Sequence, residues 1–86
     1  MEVTYDRAFL KSAKKLPIQQ QKLLAKKLLF LQSNPFDTRL HTKPLSSPLT
    51  GIYSFRITRE YRILFRFIDP ETIFLITAKH RKEVYQ

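Results

Sequence analysis

The stretch YSFRITREYRILFRF, residues 53–67, can fold in very few ways. Successive side chains of a β-strand point to opposite faces. Tyr53, Phe55 and Ile57 therefore share one face of a first strand, and Tyr61, Ile63, Phe65 and Phe67 share one face of a second. Ile52, Ser54 and Arg56 fall on the reverse of the first strand, and Arg62, Leu64 and Arg66 on the reverse of the second. Antiparallel partners point the same way, so matching apolar to apolar demands pairs whose numbers sum to an even value, such as Phe55 with Ile63. That register sets Arg56 opposite Arg62 and leaves an odd-numbered loop, Thr58-Arg59-Glu60. A two-residue loop would drive arginines into the core, against their desolvation cost. The aromatic face is the inner one, and the arginines stand on the open face.

Around this pair the chain supplies two helices and two further strands. Val3 and Tyr5 open a short edge strand, and Asp6 is placed to cap a helix carrying Phe9, Leu10, Ala13 and Leu16 on one side. Pro17 disfavours helical geometry at Leu16 and separates this helix from a second, Ile18 to Gln32. Leu24, Leu28 and Leu31 line the second helix, widened by Leu23 and Phe30, and SNPFD ends it. The segment from Asp37 to Thr50 has no sustained period and reads as a long loop, with room for a short strand. Gly51, the only glycine, sits where positive φ is expected at the entry to the sheet. The strands then run Ile52–Thr58, Tyr61–Ile68 and Thr72–Ala78, with DPET turning between the last two. The expectation is an α+β fold: two N-terminal helices packed on one face of a four-stranded, mainly antiparallel sheet, in one domain spanning 1–86.

A net charge of +9 over 86 residues points to a polyanionic partner: nucleic acid, an acidic protein or a membrane surface. No apolar run approaches the roughly 20 residues of a membrane span, and the first residues lack a signal peptide's apolar core. With no cysteine there are no disulfides or thiolate metal ligands, which fits a cytoplasmic protein. The two histidines are far apart and the carboxylates unclustered, so no metal or other cofactor is expected.

Like charges opposed across a ladder destabilise it by some tenths of a kcal/mol. Gathering Arg56, Arg62 and Arg66 on one face makes sense where a phosphate sits among them, because guanidinium forks match phosphate geometry. The alternative is a solvated basic face, or arginines paired with Asp69, Glu71 or Glu83.

LTGIYSFRITREYRILFRF followed by IFLITAKHRKEVY resembles the RelE/ParE superfamily of bacterial toxins from toxin–antitoxin systems, nearest its RelE and YoeB-like ribonuclease branch. The resemblance also covers the two N-terminal helices and HTKPL in the loop. It implies a small α/β toxin that cleaves mRNA, often in the 30S decoding site of the ribosome, without metal. It further implies silencing by a cognate acidic antitoxin, the toxin alone being a monomer and the complex a hetero-oligomer. In that branch Arg56 and Arg62 match the positions that hold the scissile phosphate. His80 and Arg81 fall where a late catalytic histidine or arginine stands, and Tyr85 matches a terminal aromatic that orients RNA. Lys43, with His41, lies in the loop where YoeB-like members carry a carboxylate base, and no carboxylate stands there in this chain. Ser54 replaces a lysine of RelE.

Cleavage by an adjacent 2′-hydroxyl needs a base, cations on the phosphorane and an acid for the 5′-oxygen. Arginines on a rigid sheet supply the second, and His80 suits acid or base by its type. The catalytic candidates are Arg56, Arg62, His80, Tyr85 and Lys43; His41, Ser54, Arg59, Arg66 and Arg81 are the RNA-binding candidates. Each has a structural alternative: a capping or core role for His80, a docked tail for Tyr85, a solvated loop for His41 and Lys43. Two other functions remain open, a ParE-like toxin that inhibits DNA gyrase and a non-catalytic RNA-binding module.

Overall fold

The computed structural model describes residues 1–84. Its elements run β1 (Glu2–Tyr5), α1 (Arg7–Lys14), α2 (Ile18–Ser33), a 3-10 turn (Thr38–Leu40), β2 (Lys43–Pro44), β3 (Tyr53–Arg56), β4 (Tyr61–Asp69), β5 (Thr72–His80) and a final 3-10 turn (Arg81–Glu83). The sheet has five strands in the order β1-β5-β4-β3-β2, one more than expected. The addition is β2, two residues of the long loop that pair antiparallel with Ser54 and Tyr53. β1 pairs with β5 in parallel, and every other pairing is antiparallel.

Phe55 pairs with Ile63 and Arg56 with Arg62, the register that the parity of the sequence demands. Phe55, Ile63, Phe65, Ile73 and Leu75 are wholly buried, and α1 and α2 close over them with Phe9, Leu24 and Leu31, joined by Leu16 from the connection between the helices. Asp6 caps α1 by accepting from the Phe9 N–H at 3.0 Å, and Pro17 opens α2 with extended backbone. Gly51 has φ +91°, a conformation that L side chains rarely adopt. Leu10 and Leu23, expected on the buried faces of their helices, are exposed. They lie outside the stripe that meets the sheet.

The reverse of the sheet is less open than the alternation implies. Leu64, between Arg62 and Arg66, is buried with Leu45 and Val84 in a second small core, flanked by Leu49, Ile52 and Ile76. The loop before β3 and the turn after β5 both fold back over this face. A strand pattern read alone cannot show such cover, because its apolar residues come from loops.

One irregularity decides the geometry at the far end of β5. Phe65 pairs with Leu75 but Leu64 pairs with Thr77, so Ile76 is an extra residue, a β-bulge. A one-residue insertion moves every later side chain to the opposite face. Lys79 therefore stands opposite Arg62 and His80 opposite Tyr61.

Candidate functional site

Three strands bring cations into one row. Arg56 on β3 faces Arg62 on β4, which faces Lys79 on β5. Directly paired strand residues have Cβ atoms roughly 4.5–5.5 Å apart, so three positive side chains share a span of about 10 Å. Arg56 is half-buried, and its Nε has no hydrogen-bond partner among the described residues. A buried donor left in that state costs about 1–3 kcal/mol, and more when the group is charged. An anion would satisfy it.

Beside this row a cleft of about 350 Å³ is lined by Lys43, Leu45, Ser54, Arg62, Arg81, Lys82 and Val84. Lys43 enters from β2, whose pairing fixes it opposite Ser54. Ser54 is fully buried, and its hydroxyl has no partner among the described residues. Arg81 and Lys82 come from the final turn, which Val84 holds down against Leu64 and Leu45. Four cations and an unsatisfied hydroxyl thus converge on a floor of leucine and valine.

The loop that delivers Lys43 is tethered at several points. Leu40 is wholly buried, and the Thr42 hydroxyl donates to the Pro35 carbonyl at 2.6 Å. Arg39 grips Asp37 through two hydrogen bonds of 3.0 and 2.8 Å and lies over the Phe30 ring at 3.6 Å. The Lys27 ammonium donates to the Arg39 carbonyl at 3.0 Å, tying the loop to α2. The Arg39 guanidinium, hydrogen-bonded to Asp37, lowers that carboxyl from 3.8 to about 2, helped by the Arg39 backbone N–H.

The other expected site residues scatter. Arg66 is exposed on the same face beyond Leu64, its guanidinium 5.3 Å from the Phe74 ring centroid, outside the cleft lining. Arg59 is exposed in the turn between β3 and β4. His41 is exposed with φ +51°, ending the 3-10 turn in left-handed conformation, and does not line the cleft. Tyr85 lies outside the described residues.

His80 is the clearest departure. It stands on the helix-side face with Tyr61, not among the arginines, because the bulge at Ile76 reverses the parity of the strand end. It borders a separate cleft of about 420 Å³ with Lys11, Ser12, Lys15, Tyr61 and Glu83. Both ring nitrogens are already engaged, Nδ1 accepting from the Lys82 N–H at 3.2 Å and Nε2 lying 3.3 Å from a Glu60 carboxylate oxygen. The bulge pairs Lys79 with Arg62 instead, and Lys79 also lines the cleft that His80 borders. Sequence reading passed over Lys79, and over Lys82 in the cleft wall. Alternation gave no signal of the bulge, because Phe74 and Ile76 are as apolar as Ile73 and Leu75.

Searches of family models and of curated protein sequences find no match to this chain. Solved structures do match it. A chain of the toxin–antitoxin complex RelBE2 from Mycobacterium tuberculosis superposes with a TM-score of 0.76 at 27% identity, over 93% of this chain and 96% of that one. The chain has the RelE/ParE toxin fold. A YoeB/ParE toxin from Agrobacterium tumefaciens superposes with a TM-score of 0.77 at 16% identity, covering 94% and 99% of the two chains. The YoeB–YefM complex from Staphylococcus aureus gives 0.73 at 23% identity, covering 92% and 94%. The RelE/ParE fold here keeps its two helices on one side of the sheet and leaves the other to the cation row and cleft.

Proposed function

We propose that this chain is the toxin of a toxin–antitoxin pair and that it cleaves mRNA, on the ribosome, by attack of the 2′-hydroxyl on the adjacent phosphate. The observation that carries this reading is the Arg56–Arg62–Lys79 row beside a cleft that adds Lys43, Arg81 and Lys82. Such a row holds a phosphate and stabilises charge that grows on it in the transition state. The donors sit on paired strands, so they need no rearrangement as the reaction proceeds. Arg56 and Arg62 take the phosphorane oxygens, with Lys79 flanking them. Lys43 and Ser54 are placed against the nucleotide in the cleft, and Arg81 and Lys82 against neighbouring phosphates. Arg66, Arg59 and His41 serve RNA contacts outside the cleft. The partner that silences the chain is an acidic antitoxin segment covering this face, consistent with a charge of +9.

Primer extension on an mRNA translated in a purified system tests the reading. Internal cuts that appear only with the protein, leaving 2′,3′-cyclic or 3′-phosphate ends and 5′-hydroxyls, are the expected result. Products with 5′-phosphates would place the chemistry elsewhere. Intact mRNA together with inhibited gyrase supercoiling would replace this reading with a ParE-like one.

A further inference from the structure

His80 caps the last turn of the described chain. It is the N-cap of Arg81–Glu83, with its own N–H donating to Glu83 Oε1 at 3.2 Å while its Nδ1 accepts from the Lys82 N–H at 3.2 Å. This reciprocal pair is a capping box with imidazole in place of the usual serine or threonine. An Nδ1 that accepts leaves the ring proton on Nε2, and Nε2 faces the Glu60 carboxylate at 3.3 Å. Glu60 holds the same segment twice more, accepting the Arg81 N–H at its carbonyl at 2.8 Å and meeting Arg81 Nε at 3.6 Å. The ring packs edge-on against Tyr61, with centroids 5.3 Å apart. Three residues of this segment, Arg81, Lys82 and Val84, wall the cleft.

We propose that His80 is a positioning residue: as the cap of the Arg81–Glu83 turn and partner of Glu60, it fixes the cleft wall and transfers no proton. This rests on the ribonuclease reading above and names the role of a residue within it. The geometry separates it from the chemistry in two ways. Its ring is on the face opposite Arg56 and Arg62, and both of its nitrogens are occupied by the chain's own groups. What it controls is where two cations stand.

The test uses the full chain and four variants, His80→Asn, His80→Ala, Glu83→Ala and the double alanine. Asparagine accepts a backbone N–H at an N-cap as well as any residue does, but it cannot carry a proton between pH 5 and 8. Cleavage of translated mRNA is followed across that pH range, and exchange of the Lys82 amide hydrogen is followed in the free protein. His80→Asn is expected to stay within about threefold of wild type at every pH, with the Lys82 amide still protected. His80→Ala is expected to lose about fivefold, the usual weight of a lost cap, with faster Lys82 exchange. Glu83→Ala does the same, and the double variant falls short of their product because the two halves form one box. A His80→Asn protein as inactive as Arg56→Ala, with Lys82 still protected, would make His80 a proton carrier and overturn the proposal. So would unchanged Lys82 exchange in His80→Ala. If the wild type cuts no mRNA, the proposed function falls, and the exchange experiment alone still decides whether His80 holds the turn.

Discussion

The side of the sheet under the helices and the side carrying the cation row are built from the same three strands, yet they treat their side chains differently. Under the helices, Phe55, Ile63 and Phe65 are wholly buried against one another and against Phe9 and Leu31. On the reverse, Arg56 faces Arg62, Arg62 faces Lys79, and Ser54 and Arg56 hold buried polar atoms with no partner among the described residues. The first side lowers the free energy of folding. On the second, the small core of Leu45, Leu64 and Val84 stabilises, but the cation row works against it through opposed charges and unmade hydrogen bonds, and so is arranged for something other than stability. Sites that bind are commonly destabilising in this way, because a surface already satisfied has nothing left for a ligand.

The comparison can be broken from either side. The largest effect is expected from Phe65→Ala, which removes a ring stacked with Tyr53 and tilted against Phe55. Urea denaturation should show a loss of about 3–5 kcal/mol, enough to unfold much of a domain this small. If the variant loses less than 1 kcal/mol, the helix side is not the source of stability.

On the other side Arg56→Ala should lower the rate of mRNA cleavage by on the order of 10²–10³, or about 2.7–4 kcal/mol in the transition state. Its midpoint of unfolding should stay the same or rise slightly, since one opposed charge is gone. Lysine at this position should restore only part of the rate, because it cannot offer a bidentate contact. An Arg56→Ala protein that is both less stable and fully active would invert the assignment of the two faces.

A smaller effect belongs to the helix layer. Asp6→Ala removes the acceptor for the Phe9 N–H and should cost about 1 kcal/mol in thermal unfolding, without touching cleavage at permissive temperature. The smallest concerns the loop that carries Lys43. The carboxyl of Asp37 is lowered to about 2, so its contribution is complete above the usual carboxylate range and disappears as pH falls through about 2. Asp37→Asn should flatten that part of the acid-stability curve, with salt weakening the wild-type effect because the pair is exposed. Equal acid sensitivity in both proteins would mean that the Arg39 clamp does not hold the loop.

The helix side was legible in the sequence because its rules are local. Alternation in β3 and β4 fixed the pairing of Phe55 with Ile63, Asp6 announced α1, and Pro17 divided the helices. The cation side was legible only where the same alternation reached, at Arg56 and Arg62. Its remaining parts depend on contacts between distant segments. Leu45 and Val84 meet on Leu64 across the sheet, a contact that no periodicity displays. The bulge at Ile76 changed which of two adjacent residues, Lys79 or His80, joined the row. Residue type favoured the histidine and backbone count favoured the lysine. Count decides, because a side chain cannot cross the sheet.

The parallel pairing of β1 with β5 also sets when the fold can be completed. Glu2 to Tyr5 pair with Thr72 to Leu75, so the first strand has no sheet neighbour until residues 72–75 have been made. Contacts so far apart in sequence close slowly and late. The cleft draws on residues from Lys43 to Val84 and shares that schedule. A chain still emerging from the ribosome that makes it carries the arginines but not the walls around them, and its cleft is complete only after the segment through Val84 is free.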